Sequence, residues 1–111
     1  MNKFENNQDY LNILRKLDNN PGSSQRFLAN QLGFSLGKLN YCLKSLKLKG
    51  LLKMKNFRKN PKKINYVYIL TPKGISEKSK LTVNFMKKKM QEYDELQNEL
   101  SKKKYVDSNK N

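Results

Sequence analysis

The chain has 111 residues, a length that fits one domain, and 36% of them are hydrophobic, enough for one modest core. Its 24 Lys and Arg against 9 Asp and Glu leave a formal charge of +15, which favours a polyanionic partner: nucleic acid first, an anionic membrane surface second. With no His and one Cys, a His/Cys metal site and an intrachain disulfide are excluded, and an enzyme or a cofactor is not expected.

In chain order, Tyr10, Leu11, Leu14 and Leu17 recur at helical spacing and predict a first helix over about 7–17. "NNPG" at 19–22 ends it, because Pro21 biases Asn20 away from helix and Gly22 permits a turn. Ser24 can cap a second helix, "QRFLANQL", with Leu28, Ala29 and Leu32 facing inward and Gly33 stopping it. Only Phe34 stands before Ser35, a second cap. Two helices joined by about three residues that include Gly is the helix-turn-helix signature.

The third helix, "SLGKLNYCLKSLKLKG", ends at Gly50. "LLKMKNF", the polar turn "RKNPKK" and the β-branched and aromatic "INYVYILT" then read as a β-hairpin with a basic tip. Tyr66 and Tyr68 alternate there as core residues would. Thr71 is a good cap and Pro72 suits the first position of a fourth helix. Nothing breaks that helix before about Lys104, and Ile75, Leu81, Phe85, Met86, Met90, Tyr93, Leu96 and Leu100 line it. Roughly 30 residues of helix are about 45 Å long. The preceding domain is too small to cover that stripe, and a second copy of the helix is the economical cover. The expected class is mainly α with a small β-hairpin: a winged helix-turn-helix domain over 1–73, a long C-terminal dimerisation helix over 74–104, and a polar tail over 105–111. The uncovered stripe leads to the expectation of a homodimer; no apolar run reaches a membrane span, and "MNKFENNQDY" lacks an apolar signal region, so a cytoplasmic protein is expected.

From Asn19 to Ser76 there is no acid, while 12 Lys and Arg fall in that span. A coding bias toward Lys and Asn would inflate the total charge without emptying the middle of acids. On the third helix, Leu36, Leu39, Leu43 and Leu46 centre one face, with Gly37, Lys38, Tyr41, Lys44 and Ser45 opposite and Asn40 and Lys47 on a flank. That polar side alone fits solvated surface as well as a reading face; the turn, the acid-free surroundings and the hairpin favour the reading face. A helix fits the major groove of double-stranded DNA, and its N-terminal residues usually meet base edges. Ser35, Gly37, Lys38, Asn40, Tyr41 and Lys44 are the candidate contacts. Asn suits adenine, Lys suits guanine or phosphate, Tyr suits a thymine methyl or phosphate, and Gly lets the helix start come close. Gln25, Arg26 and Lys47 suit the DNA backbone, and Arg58, Lys59, Lys62 and Lys63 form the wing, with Arg58 the choice for the minor groove. Phe85, Met86, Met90, Tyr93, Leu96 and Leu100 are the candidate dimer contacts. Cys42 borders the inner face and reads as a small core residue, with a redox switch as its alternative. A basic RNA- or ribosome-binding protein and a protein-interaction winged helix stay open as other functions, and no effector can be read from the sequence.

Four motifs carry a family resemblance: "SLGKLNYCLK" at Ser35–Lys44, "KMKNF" at Lys53–Phe57, "LTPKG" at Leu70–Gly74 and "KKKMQEY" at Lys87–Tyr93. In this order they resemble the MarR-type winged-helix transcriptional regulators, and more closely a subgroup associated with exopolysaccharide gene clusters. The resemblance covers roughly residues 8 to 100. It implies a DNA-binding regulator, with polysaccharide genes as the implied targets. The chain departs from the pattern where Phe27 replaces the usual acid of the second helix, and in a wing that lacks the Asp-Arg pair of larger members. Those members also dimerise through an additional N-terminal helix, for which no room is expected here, and their ligand pocket is not carried over.

Overall fold

The computed structural model describes residues 7–60 and 62–109, the side chains of 57, 59, 60, 63, 64 and 103–109 lying outside that description. Six elements follow in order: α1 (Asn7–Asn19), α2 (Gln25–Leu32), α3 (Leu36–Leu48), β1 (Leu52–Asn60), β2 (Lys63–Leu70) and α4 (Pro72–Asn109). The chain divides into two compact units, the first ending at Leu81 and the second beginning at Thr82.

The core of the first unit is built by helical and strand periodicity. Tyr10, Leu11, Ile13, Leu14 and Leu17 of α1 meet Leu28 and Ala29 of α2 and Leu39, Cys42, Leu43 and Leu46 of α3. Leu51, Leu52 and Val67 extend it under the hairpin, where β1 packs on α3 and β2 on α1. A fully buried Leu stabilises by roughly 1.5–3 kcal/mol, so the three buried leucines of α3 suffice to fix that helix against α1 and α2. Cys42 is fully buried, the core residue its position predicted. Leu36 is not in the core: it is 42% exposed, because it opens the helix where no neighbouring element covers the stripe. Ser45 also departs from its predicted outward face. Its hydroxyl shares a 2.9 Å hydrogen bond with the Tyr10 hydroxyl, so α1 covers that side of α3.

Each helix of the turn begins on a serine. Ser24 Oγ accepts from the Phe27 amide and Ser35 Oγ from the Lys38 amide, both at 3.1 Å. The expected loss of an acid at Phe27 leaves Ser24 capping without a reciprocal carboxylate. Between the helices, Gly33 adopts φ +70, and the amides of Gly33 and Phe34 bond back to Asn30 and Ala29. This left-handed closure ends α2 within three residues of α3 and sets the angle between them.

Strands β1 and β2 form one antiparallel pair, with Leu52 opposite Leu70, Met54 opposite Tyr68 and Asn56 opposite Tyr66. The register shifts between Arg58 and Asn60 near the hairpin tip. Contrary to the alternation expected, the tyrosines of β2 are not buried. Val67 is the buried residue, and Tyr66, on the opposite side of the strand, is 68% exposed. Met54, three residues into β1, is exposed too.

Thr71 and Pro72 open α4 as the sequence predicts. Thr71 Oγ1 accepts from the Gly74 amide at 3.0 Å and donates to the Gly50 carbonyl at 2.6 Å, while the Thr71 amide donates to the Leu51 carbonyl. The opening of α4 is thereby bonded to the turn that follows α3, and the Lys78 ammonium pairs with Asp18 of α1. Within the first unit α4 continues to the buried Leu81. The second unit is the rest of the helix. It runs to Asn109, beyond the expected end near 104, since "YVDSN" contains neither Pro nor Gly to stop it.

Candidate nucleic-acid interface

The candidate residues lie in the first unit. The buried side of α3 leaves the other side open: Tyr41, Lys44 and Lys47 are exposed, and Asn40 is half-buried on the flank. A side chain at Gly37 would meet nothing within 4 Å, so the first turn offers bare backbone to an approaching groove. Ser35 is committed as a cap acceptor, which leaves its O–H proton as the group able to reach a ligand.

Lys38 stands apart from its expected neighbours. Its ammonium lies 3.0 Å from the Asp9 carboxylate of α1 and 4.1 Å from the centre of the Phe34 ring. The charge map from sequence left Asp9 outside the acid-free span; the fold returns it to the start of α3. The described acids of α1, Asp9 and Asp18, are each matched by a lysine, Lys38 and Lys78.

Gln25 and Arg26 are exposed at the start of α2, beside the cap at Ser24. On the hairpin, Arg58 is exposed on β1 and Lys62 is exposed at the turn. The side chains of Lys59 and Lys63 lie outside the described residues, although both residues belong to the strands. Lys53 and Lys55 are exposed cations of β1 that the sequence reading did not single out. Their alternation with Leu52 and Met54 was the available signal. Tyr66 was missed as well. With Gln25, Ser24 and Leu28 it lines a groove of about 340 Å³ between the turn after α1 and strand β2.

A family profile described as winged helix-turn-helix DNA-binding matches residues 11–53, from α1 to the start of β1. The fold is a winged helix. Its α2 and α3 are the helix-turn-helix and its β1–β2 hairpin is the wing. Similar solved structures are transcriptional regulators, MarR family members among them. The PcaV regulator from Streptomyces coelicolor, solved with its natural ligand, is 21% identical, covers 77% of this chain and 58% of its own, and has a TM-score of 0.61. The zinc-responsive MarR family member ZitR from Lactococcus lactis is 23% identical over 86% of this chain and 60% of its own, with a TM-score of 0.57. The repressor CouR, bound to a 23-mer DNA duplex, is 25% identical over 65% of this chain and 49% of its own, with a TM-score of 0.55. The chain thus spans less than two thirds of the length of each of these regulators. No protein of curated function matches the chain. Among the described residues no helix is long and apolar enough to cross a membrane.

Proposed function

We propose that the chain is a MarR-type transcriptional regulator that binds double-stranded DNA in a sequence-specific manner. The observation that carries this reading is the exposed face of α3, where Gly37, Asn40, Tyr41, Lys44 and Lys47 lie in an acid-free stretch of a winged helix. In this reading α3 enters the major groove. Asn40 pairs with adenine, Tyr41 and Lys44 meet base edges or phosphate, and Gln25, Arg26 and Lys47 hold the backbone. The wing, with Arg58, Lys59, Lys62 and Lys63, lies along the minor groove, Arg58 inside it. The repressor CouR, which shares the fold, is bound to a 23-mer DNA duplex, and that supports duplex DNA as the ligand.

Two copies act together, paired through Phe85, Met86, Met90, Tyr93, Leu96 and Leu100 of α4. Their recognition helices then read half-sites about 10 bp apart or a multiple of it. The resemblance of the four motifs to the exopolysaccharide-associated subgroup extends the proposal to polysaccharide genes as targets. Selection of bound duplexes from a random pool tests specificity, spacing and symmetry at once. A symmetric consensus is expected. Equal affinity for all duplexes at every salt concentration removes the sequence-specific claim.

One observation favours a second reading. Tyr66 is exposed in a groove beside Gln25, and an exposed aromatic on a basic chain also suits an unstacked RNA base. Competition between a structured RNA and the selected duplex decides between the two: the DNA reading expects the duplex to win.

A further inference from the structure

The position of Lys38 separates it from the face on which it was counted. Its side chain retains 28% of its surface, and the Asp9 carboxylate that it faces retains only 15%. Lys38 follows the cap Ser35 by three residues, and Phe34 belongs to the turn between α2 and α3. One ammonium therefore touches a carboxylate of α1 and the ring of the helix-turn-helix turn, from the first turn of the helix whose far side is exposed.

We infer that Lys38 is a positioning residue, held by Asp9 and Phe34 to fix the start of the recognition helix, and that it does not contact DNA. This rests on the DNA-binding reading above and narrows it, leaving direct readout to Asn40, Tyr41 and Lys44. Withdrawing the ammonium to reach a phosphate would strip a cation from a carboxylate already mostly out of water. Separating a half-buried pair forfeits its attraction, and phosphate offers Lys38 only another anion in a more hydrated setting. The ring adds a second attraction that a move outward would break. A lysine that merely steered DNA would gain nothing from an acid beside it, because the acid cancels its field.

Bases are read at hydrogen-bond distances, so a small rotation of α3 misplaces Asn40 and Lys44 while leaving their charge in the groove. The tie therefore governs specificity more than total affinity.

The test uses the full chain with Lys38→Gln, Asp9→Asn, the double variant, and Lys44→Gln for comparison. Thermal unfolding is measured first. Binding to the duplex selected by the wild-type chain, and to an unrelated duplex of equal length, is then measured across salt concentrations. The inference expects Lys38→Gln and Asp9→Asn each to lower Tm, with the double variant little worse than either single one. Each should cut the ratio of selected to unrelated affinity by about tenfold while leaving the slope of log affinity against log salt unchanged. Lys44→Gln should instead reduce that slope by about 0.9 with Tm unmoved. Lys38→Arg keeps the charge and can lay its guanidinium on the ring, and should restore the ratio. The inference is overturned if Asp9→Asn tightens binding and steepens the slope by about one phosphate contact, since that is a lysine released onto DNA. It is equally overturned if the Tm losses simply add, an outcome that can be read even if the chain selects no duplex and the DNA-binding reading itself fails.

Discussion

Two glycines of the first unit sit in opposite situations, and single methyl groups should tell them apart. A Cβ on Gly74 would lie 2.1 Å from the Leu51 carbonyl oxygen, a backbone atom held in place by the Thr71 amide. That oxygen cannot give way without parting the turn after α3 from the start of α4. Gly74→Ala is expected to destabilise by about 2–3 kcal/mol, read as a lower urea midpoint at unchanged slope. Gly37 is helical and open on all sides. Gly37→Ala is expected to stabilise by about 0.5–1 kcal/mol through helix propensity. If α3 enters a DNA groove by its first turn, the same substitution weakens binding to the selected duplex. Stability and binding then move in opposite directions, which a general folding defect cannot produce. The "LTPKG" motif announced the cap and the first helical proline, but not the reason for its glycine. That reason is a contact with Leu51, more than twenty residues earlier, which no local spacing reveals.

At the scale of elements, the helices were legible because periodicity and punctuation agree. Ser24, Gly33, Ser35 and Gly50 mark the boundaries, and the leucine spacing marks the buried side. What local reading missed was cross-element geometry. Asp9 and Lys38 are 29 positions apart, and only the crossing of α1 over α3 brings them together. Ser45 faces Tyr10 for the same reason. On β2, a period of two leaves the choice of face undecided, and packing on α1 chose Val67 over Tyr66. The caps are testable directly. Ser35→Ala removes the acceptor for the Lys38 amide and should cost about 1 kcal/mol. Because that loss falls on the first turn of α3, hydrogen exchange should accelerate there first. Asn40→Ala probes readout instead. It should leave thermal unfolding within about 0.5 kcal/mol of the original, since the residue is outside the core. It should relax preference at one A·T position of the selected duplex by about 1–3 kcal/mol.

For the whole molecule the question is what covers the second unit. Met86, Met90, Tyr93, Leu96 and Leu100 recur at three or four residues along α4, each more than half exposed. Gln97 Nε2, one turn on, donates a 3.0 Å hydrogen bond to the Tyr93 hydroxyl, and Lys89 pairs with Glu92, so polar residues flank the stripe without covering it. An isolated helix gains little from such residues in water; a matching stripe on a second copy would bury them pairwise. The proposed dimer follows, with a consequence for DNA. Two linked winged helices convert the second half-site contact into an intramolecular step, which can raise affinity by 10²–10⁴ without adding a contact. Replacing both Met90 and Leu96 with Glu places like charges in that seam. Sedimentation should then change from dimer to monomer, and affinity for a two-half-site duplex should fall by about 10² or more. Affinity for a single half-site should stay the same, because no residue of α3 or the hairpin is altered. A wild-type chain that sediments as a monomer at the concentration where it binds DNA would sink the dimer, and a double variant that loses single half-site binding would place those two residues in the DNA contact instead.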